Sequence, residues 1–331
     1  MSGLFHSILI MFTNNKGVAL ISVLLIVLML SAISVSVGKY YFLSFKREGY
    51  VDFQSNAIQY LGNIETLALK EVKREFELSN EFTAKDNVLF ANPLKVEIEK
   101  GLLSAELSDA SNCFNINALY DHRDKKYLLN ERSLKGFIKL LSLLEYEENA
   151  IVSLTDQILD WIDPDNQPRP NGLEDYFYIG PMNTRKQYTS KRFFYDLSEI
   201  RNLPASNYFN WNTLKEHVCV FPNLDDYTIN LNQLEPEDSI LLASILPNMN
   251  IDEAESIINQ IPNDGFKTAG ELYNAFPGID FNKSYLPVSL KTDLLLMRSN
   301  IHFDENTASS IMLINYKNNK ATILSRFYNG I

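Results

Sequence analysis

The chain has 331 residues, 46% of them apolar and 21% charged, a net charge of −11 and two cysteines. That is enough apolar material for two compact domains and too much for a disordered chain. The acidic excess is uneven: from Phe221 to Asp280 eleven Asp or Glu face the single Lys267, a balance that opposes polyanion binding there.

The first element is the apolar run Val18 to Val37, twenty residues without a charge. A helix of that length, at about 1.5 Å per residue, spans roughly 30 Å, the hydrocarbon thickness of a bilayer. Lys16 and Lys39 bracket it, which is compatible with a cytoplasmic start. A cleaved secretory signal has a shorter apolar core and discards it on cleavage. Here Met1 to Gly17 is a short, partly polar leader ending in Lys16-Gly17, and the apolar helix begins at the next residue. The arrangement resembles the leader of type IV pilins and type II secretion pseudopilins. It implies a cut between Gly17 and Val18 by a prepilin peptidase, methylation of the new amine, and a helix kept in the mature chain. Met11 is an alternative start, and a plain signal anchor is the alternative reading of the segment.

Beyond Lys39 the apolar positions Phe53, Ala57, Leu61, Ile64, Ala68, Val72 and Phe76 recur every three or four residues, so one amphipathic helix continues the anchor to about residue 80. Gly49 and Gly62 each weaken it by about 1 kcal/mol relative to Ala, and a bend near either is expected. Leu94, Val96 and Ile98, then Leu103, Ala105 and Leu107, alternate with polar residues around the turn Lys100-Gly101, which predicts a hairpin. Alternation returns at Val288, Leu290, Leu294 and Leu296, continues at Ile311 and Leu313, and resumes after Asn318-Asn319 from Ala321 to Phe327. These elements make an α+β fold, a long N-terminal helix packed on an antiparallel sheet. The sheet is discontinuous, built from residues 81–112 and 286–331, and residues 113–285 are inserted between its two parts.

The insert reads as an all-α domain with a loose internal repeat. Phe114-Asn115-Ile116-Asn117-Ala118-Leu119 matches Ile229-Asn230-Leu231-Asn232-Gln233-Leu234, and Glu199-Ile200-x-Asn202 matches Glu271-Leu272-x-Asn274. The offset falls from 115 to 72 residues, so the first copy carries 43 extra residues. The second copy resembles a helix-hairpin-helix, or SAM-like, unit. In nucleic-acid-binding members of that class the hairpin turn carries glycines whose backbone N–H groups hold a phosphate. Asn248 and Asn250 stand there instead, without a flanking basic residue.

The extra segment of the first copy carries Asp160, Asp163, Asp165, Glu174 and Asp175 within sixteen residues, in a loop stiffened by three prolines. Hard oxygen donors without His or Cys suit Ca²⁺ far better than zinc. The spacing is not that of an EF-hand, because Pro168 stands where the required Gly would be. The alternatives are helix and turn capping by these carboxylates, or an acid/base pair as in glycoside hydrolysis. Four histidines lack ligand spacing, and nucleophile-elbow, phosphate-loop and dinucleotide motifs are missing, so an enzyme is not expected. The runs Tyr176-Phe177-Tyr178 and Phe193-Phe194-Tyr195 read as core, with a ligand platform as the other possibility. Cys113 and Cys219 form a unique disulfide if they pair, or two buried thiols if they do not.

Several separate segments together resemble the type II secretion minor pseudopilin K family: Lys16-Gly17-Val18-Ala19-Leu20, Asp109 to Leu119, Asp160-Trp161-Ile162-Asp163 through Pro168-Arg169-Pro170 to Glu174-Asp175, Tyr195 to Ile200, and Ile229 to Asn232. The resemblance covers nearly the whole chain. It implies a pseudopilin fold interrupted by a helical domain, calcium in that domain, and a pseudopilus-tip complex with minor pseudopilins I and J. The major pseudopilin and the inner-membrane assembly platform follow as further partners. The chain would be anchored once in the bacterial inner membrane with its bulk in the periplasm. Counting from Val18, Ser22 takes the fifth position, where pilin-like subunits usually carry Glu, and K subunits of the family likewise lack that Glu. Cys113 departs from the family pattern, which leaves the disulfide outside what the resemblance implies. A membrane-tethered helix-hairpin-helix DNA receptor is the competing function.

Overall fold

The computed structural model describes residues 16–78, 83–99, 101–123, 126–181, 186–221, 227–303 and 305–330. In chain order these form α1 (Lys16–Leu78), α2 (Val88–Ala91), β1 (Leu94–Ile98), β2 (Gly101–Asp109), β3 (Phe114–Asn115), β4 (Tyr120–Arg123), β5 (Lys126–Leu129), α3 (Glu131–Leu143), α4 (Glu148–Ile162), α5 (Asp175–Tyr178), α6 (Trp211–His217), β6 (Val218–Cys219), β7 (Ile229–Asn230), α7 (Ser239–Ile245), α8 (Ile251–Ile258), α9 (Ala269–Ala275), β8 (Val288–Ser289), β9 (Leu294–Phe303), β10 (Asn306–Lys317) and β11 (Lys320–Asn329). The leader up to residue 15 lies outside the described residues.

Two compact units divide the chain, one up to Gln59 and one from Tyr60 to Gly330. The first holds the apolar part of α1, which is long and apolar enough to cross a membrane. Its side chains from Val18 to Val37 are exposed, and Tyr40, Tyr41, Phe42 and Phe45 follow directly, exposed as well. Aromatic rings at the end of an apolar helix suit the headgroup level of a bilayer. α1 runs through Gly49 and Gly62 as one helix, so neither glycine ends it.

In the second unit, the last part of α1 buries Leu61, Ile64, Ala68, Val72 and Phe76, as their three-and-four spacing requires. Among the described residues five strands form an antiparallel sheet in the order β1-β2-β9-β10-β11. Its helix-facing row includes Ser310, whose hydroxyl donates to Glu65 Oε1 at 2.8 Å, and Tyr316, whose ring lies 4.7 Å from Phe76. Arg326 on β11 completes the clamp with 2.8 Å to Glu65 Oε2. A buried carboxylate held from two strands fixes the helix register on the sheet. Asn318 and Asn319 both have positive φ, 53° and 57°, the left-handed pair that a two-residue hairpin turn needs.

Two expectations are corrected. Val288 and Leu290 do not join the large sheet: β8 pairs in parallel with β7 of the insert, and the sheet strand begins only at Leu294. The insert is therefore not all-α. Among the described residues it holds two two-stranded pairs, β3 with β6 and β4 with β5, and the strand β7, whose partner β8 follows the insert. Strands of two to four residues are too short to leave an alternation signal.

The matched segments adopt matched geometry. Asn117 donates through Nδ2 to Phe194 O at 2.9 Å and accepts from Phe194 N at 2.9 Å; Asn232 does the same with Phe266 at 2.9 and 2.8 Å. The partners lie 77 residues away in the first case and 34 in the second, which reproduces the 43-residue difference read from the sequence. Each Asn is buried, so each amide clamp is an obligatory bond that holds a strand entry against a distant loop.

Candidate functional site

The carboxylate loop is positioned by α4, whose last turn faces inward: Asp160 is fully buried and Trp161 and Ile162 are buried beside it. Trp161 stacks on Phe194 and meets Tyr178 edge-on at 5.3 Å. Tyr178 and Phe194 thus fill the core, while Tyr176 and Tyr195 point outward. Beyond Ile162 the chain turns back so that Arg169 caps Asp160, its backbone N at 3.1 Å from Oδ2 and its Nη1 at 2.6 Å from Oδ1. The same Nη1 lies 2.6 Å from Asp163 Oδ2, and Nη2 donates to the Tyr120 hydroxyl at 2.7 Å. Tyr120 donates onward to Asp163 Oδ2 at 3.1 Å. Gly172 closes the loop over Asp160, where an added Cβ would stand 1.8 Å from Oδ2, so no larger residue fits.

Three carboxylates then converge. Ligand atoms of Asp163, Asp165 and Glu174 lie within 4.8 Å of one another. Glu174 is 1% exposed, and neither of its oxygens has a hydrogen-bond donor; Asp163 Oδ1 is buried and equally unpartnered. Burial, together with the neighbouring Asp160 and Asp163 charges, pushes the Glu174 carboxyl up to about 7. Three orphaned carboxylate oxygens in one buried place are costly unless a cation takes them. The arrangement fits a hard cation bound by carboxylates.

The sequence singled out five carboxylates, and the structure brings together three of them. Asp160 is committed to Arg169. Asp175 accepts from Thr189 N and Oγ1 at 2.8 Å each and pairs with Lys191 at 3.3 Å. Against desolvation, those donors hold the Asp175 carboxyl below its ordinary value. Arg169, Tyr120 and Gly172 were not singled out as site residues; only the loop's doubling back joins them to it, and no spacing encodes that.

The other singled-out residues lie elsewhere. Gly17 and Val18 stand in the first turn of α1, and the Ser22 hydroxyl donates to Val18 O at 2.8 Å. Cys113 and Cys219 form a disulfide that closes 106 residues of chain, with Cα atoms 5.7 Å apart. In the hairpin between α7 and α8, Asn248 adopts the left-handed conformation at φ 57°. Asn250 caps α8, accepting from Glu253 N at 2.8 Å, and the Glu253 carboxylate accepts from Asn250 N. Lys139 on α3 reaches under this hairpin and donates to Ala243 O, Leu246 O and Met249 O at 2.6 to 2.8 Å. Desolvation lowers its pKa.

Comparison with known proteins places this geometry. Residues 112–223 match the family model for protein K of the type II secretion system. The chain is 25% identical over 326 residues to the type II secretion system protein K of Pectobacterium carotovorum, covering 96% of this chain and 98% of the relative. It is 27% identical over 263 residues to that of Pseudomonas aeruginosa, covering 77% of this chain and 75% of the relative. Its fold matches a chain in the crystal structure of the GspK-GspI-GspJ complex from enterotoxigenic Escherichia coli with a TM-score of 0.70, at 20% identity, over 86% of this chain and 99% of that one.

Proposed function

We propose that the chain is a minor pseudopilin of the protein K family of the type II secretion system and that it sits at the tip of the periplasmic pseudopilus. There it joins minor pseudopilins I and J and helps initiate assembly for the export of folded proteins. The observation that carries the reading is the near end-to-end match to protein K of Pectobacterium carotovorum, together with a helix-on-sheet frame that bears a large insert. The apolar part of α1 serves as the membrane anchor. The finer placement, one pass through the inner membrane with residues 18–331 otherwise periplasmic, is supported by the disulfide, which an oxidising compartment permits. The matched clamps of Asn117 and Asn232 support an insert, residues 113–285, of two helix-hairpin-helix-like copies. The acidic second copy argues against the DNA-receptor alternative.

Processing between Gly17 and Val18 and assembly with I and J are read in one preparation. The tagged chain is extracted from a membrane that also makes two small pseudopilin-like proteins. Their co-purification, and an intact mass beginning at methylated Val18, are the expected results. A mature chain starting after residue 37 would contradict both the anchor and the cut. Retardation of duplex DNA at low salt by micromolar protein would favour the DNA-receptor alternative.

Calcium is the cation that the carboxylate trio suits. Asp163, Asp165 and Glu174 would hold it, with Arg169 and Tyr120 fixing Asp163 from behind, and the ion's role is structural. At about a hundred times its dissociation constant, calcium stabilises by about 2.7 kcal/mol. For a domain of this size that is about 5–10 °C in Tm. In chelator a pH dependence is expected. The Glu174 carboxyl is raised from 4.5 to about 7, so its contribution is full below pH 4.5 and is lost as pH rises through 7. The calcium-dependent difference in Tm should therefore grow from pH 5 to 7.5, and Glu174→Gln should abolish it while raising Tm in chelator at pH 7.5. Equal melting of the detergent-solubilised parent with calcium and with chelator would leave only the capping role for these carboxylates.

A further inference from the structure

The hairpin turn between α7 and α8 opens onto a groove of about 610 Å³, and this groove is separate from the carboxylate loop. Its floor is apolar: Leu246, Pro247, Met249, Ile257 and Ile279. Its rim carries Glu253 and Asp280, with Lys283 bonded to Asp280 at 3.1 Å. Asp252 and Glu255 stand exposed on the same helix as Glu253. The groove therefore lies within the stretch where carboxylates far outnumber cations.

Two features hold the groove in shape before anything enters it. Asn248 keeps the turn open in its left-handed conformation. Lys139 satisfies three of the carbonyls at its back, so the turn is braced from inside the protein and its outer face is left free. Preorganisation of this kind lowers the ordering cost of binding.

We infer that this groove is a docking site for a basic peptide segment of another protein, one with a large apolar side chain flanked by Lys or Arg. The volume admits a few residues, the floor takes the apolar anchor, and the carboxylates at the rim and on α8 select the flanking cations. The turn that holds phosphate in nucleic-acid-binding hairpins thus takes the opposite charge in this chain. The inference goes beyond the tip assignment and stands or falls separately from it.

The test uses the full-length protein in detergent and fluorescein-labelled hexapeptides read by anisotropy. The probe is Lys-Arg-Leu-Phe-Lys-Arg. Its comparisons are Lys-Arg-Gly-Gly-Lys-Arg, which lacks the anchor, and Glu-Asp-Leu-Phe-Glu-Asp, which reverses the charge. The double variant Glu253→Gln with Asp280→Asn removes both rim charges but keeps the acceptors that cap α8 and the turn at Asn282. The expected result is saturable binding of the probe alone, weakened about tenfold by the double variant, or about 1.4 kcal/mol. An unchanged melting temperature shows that the variant keeps its fold. Binding of the charge-reversed peptide as tightly as the probe would overturn the inference, as would probe binding that the variant leaves unchanged. Binding of duplex DNA in preference to the probe would overturn it too. None of these outcomes bears on co-purification with I and J, so the two readings fail independently.

Discussion

Replacing Cys113 and Cys219 together with serine should lower stability by about 4–5 kcal/mol, the loop-entropy value for a cross-link that closes about 100 residues. In a domain of this size that is a fall of about 10–15 °C in Tm. The bond spans 106 residues and joins the entry of the insert to its parallel partner, since Asn115 is in register with Cys219. Everything in the first copy lies inside the closed loop: the amide clamp of Asn117 on Phe194, the aromatic core around Trp161, and the three carboxylates. Native contacts survive the substitution, so the loss comes from the unfolded chain, which gains freedom it did not have. Thermal melting of parent and double variant in the same detergent checks this, and a reductant should reproduce the shift in the parent only. An unchanged Tm would mean that the insert's entry is held by packing alone.

Asp109→Ala should cost about 3–5 kcal/mol, because it strands several buried donors at about 1–3 kcal/mol each. Asp109 ends β2, where the sheet hands over to the insert. Its carboxylate accepts from Ser111 N and Oγ at 2.7 and 2.6 Å, from Thr292 Oγ1 at 2.9 Å and from Asn230 Nδ2 at 3.0 Å. Thr292 precedes β9 and Asn230 belongs to β7, so one side chain ties the end of β2, the second copy and the return to the sheet. Burial pushes the Asp109 carboxyl up while these donors pull it back. Denaturant unfolding of the variant measures the loss. Asp109→Asn should fall short of the parent as well, since its amide turns a donor toward groups that already donate. A loss below about 1 kcal/mol in the alanine variant would show that water replaces the carboxylate, and that the junction is held elsewhere.

Long, periodic elements were legible in the sequence, and close approaches between distant segments were not. The apolar run and the stripe from Leu61 to Phe76 encode α1 in their spacing, and the alternation around Lys100-Gly101 encodes the hairpin. The two amide clamps were legible because Asn115-x-Asn117 and Asn230-x-Asn232 keep the side chains that make them. The short parallel pairs were invisible, since a two-residue strand has no period. Within the carboxylate loop, residue type pointed to a hard cation, but proximity along the chain grouped five acids where space groups three. Asp160 and Asp175 were separated from the trio by Arg169, Thr189 and Lys191, whose roles depend on a fold back across the loop. Asp109 stood out only as part of a motif, and its partners at Asn230 and Thr292 are more than a hundred residues away.

The tip assignment rests on an uncharged Ser22, whose hydroxyl is satisfied within its own helix, and on the bulk of the insert. A carboxylate within a membrane helix costs about 2.5–3.5 kcal/mol at mid-bilayer on insertion scales and is kept where a partner neutralises it. A subunit with no subunit ahead of it needs no such group, and the insert would obstruct a copy stacked above. Decoration of overproduced pseudopili with an antibody against residues 113–285, viewed by electron microscopy, tests this directly. The account predicts label at one end of each filament; label spaced along the shaft would contradict it.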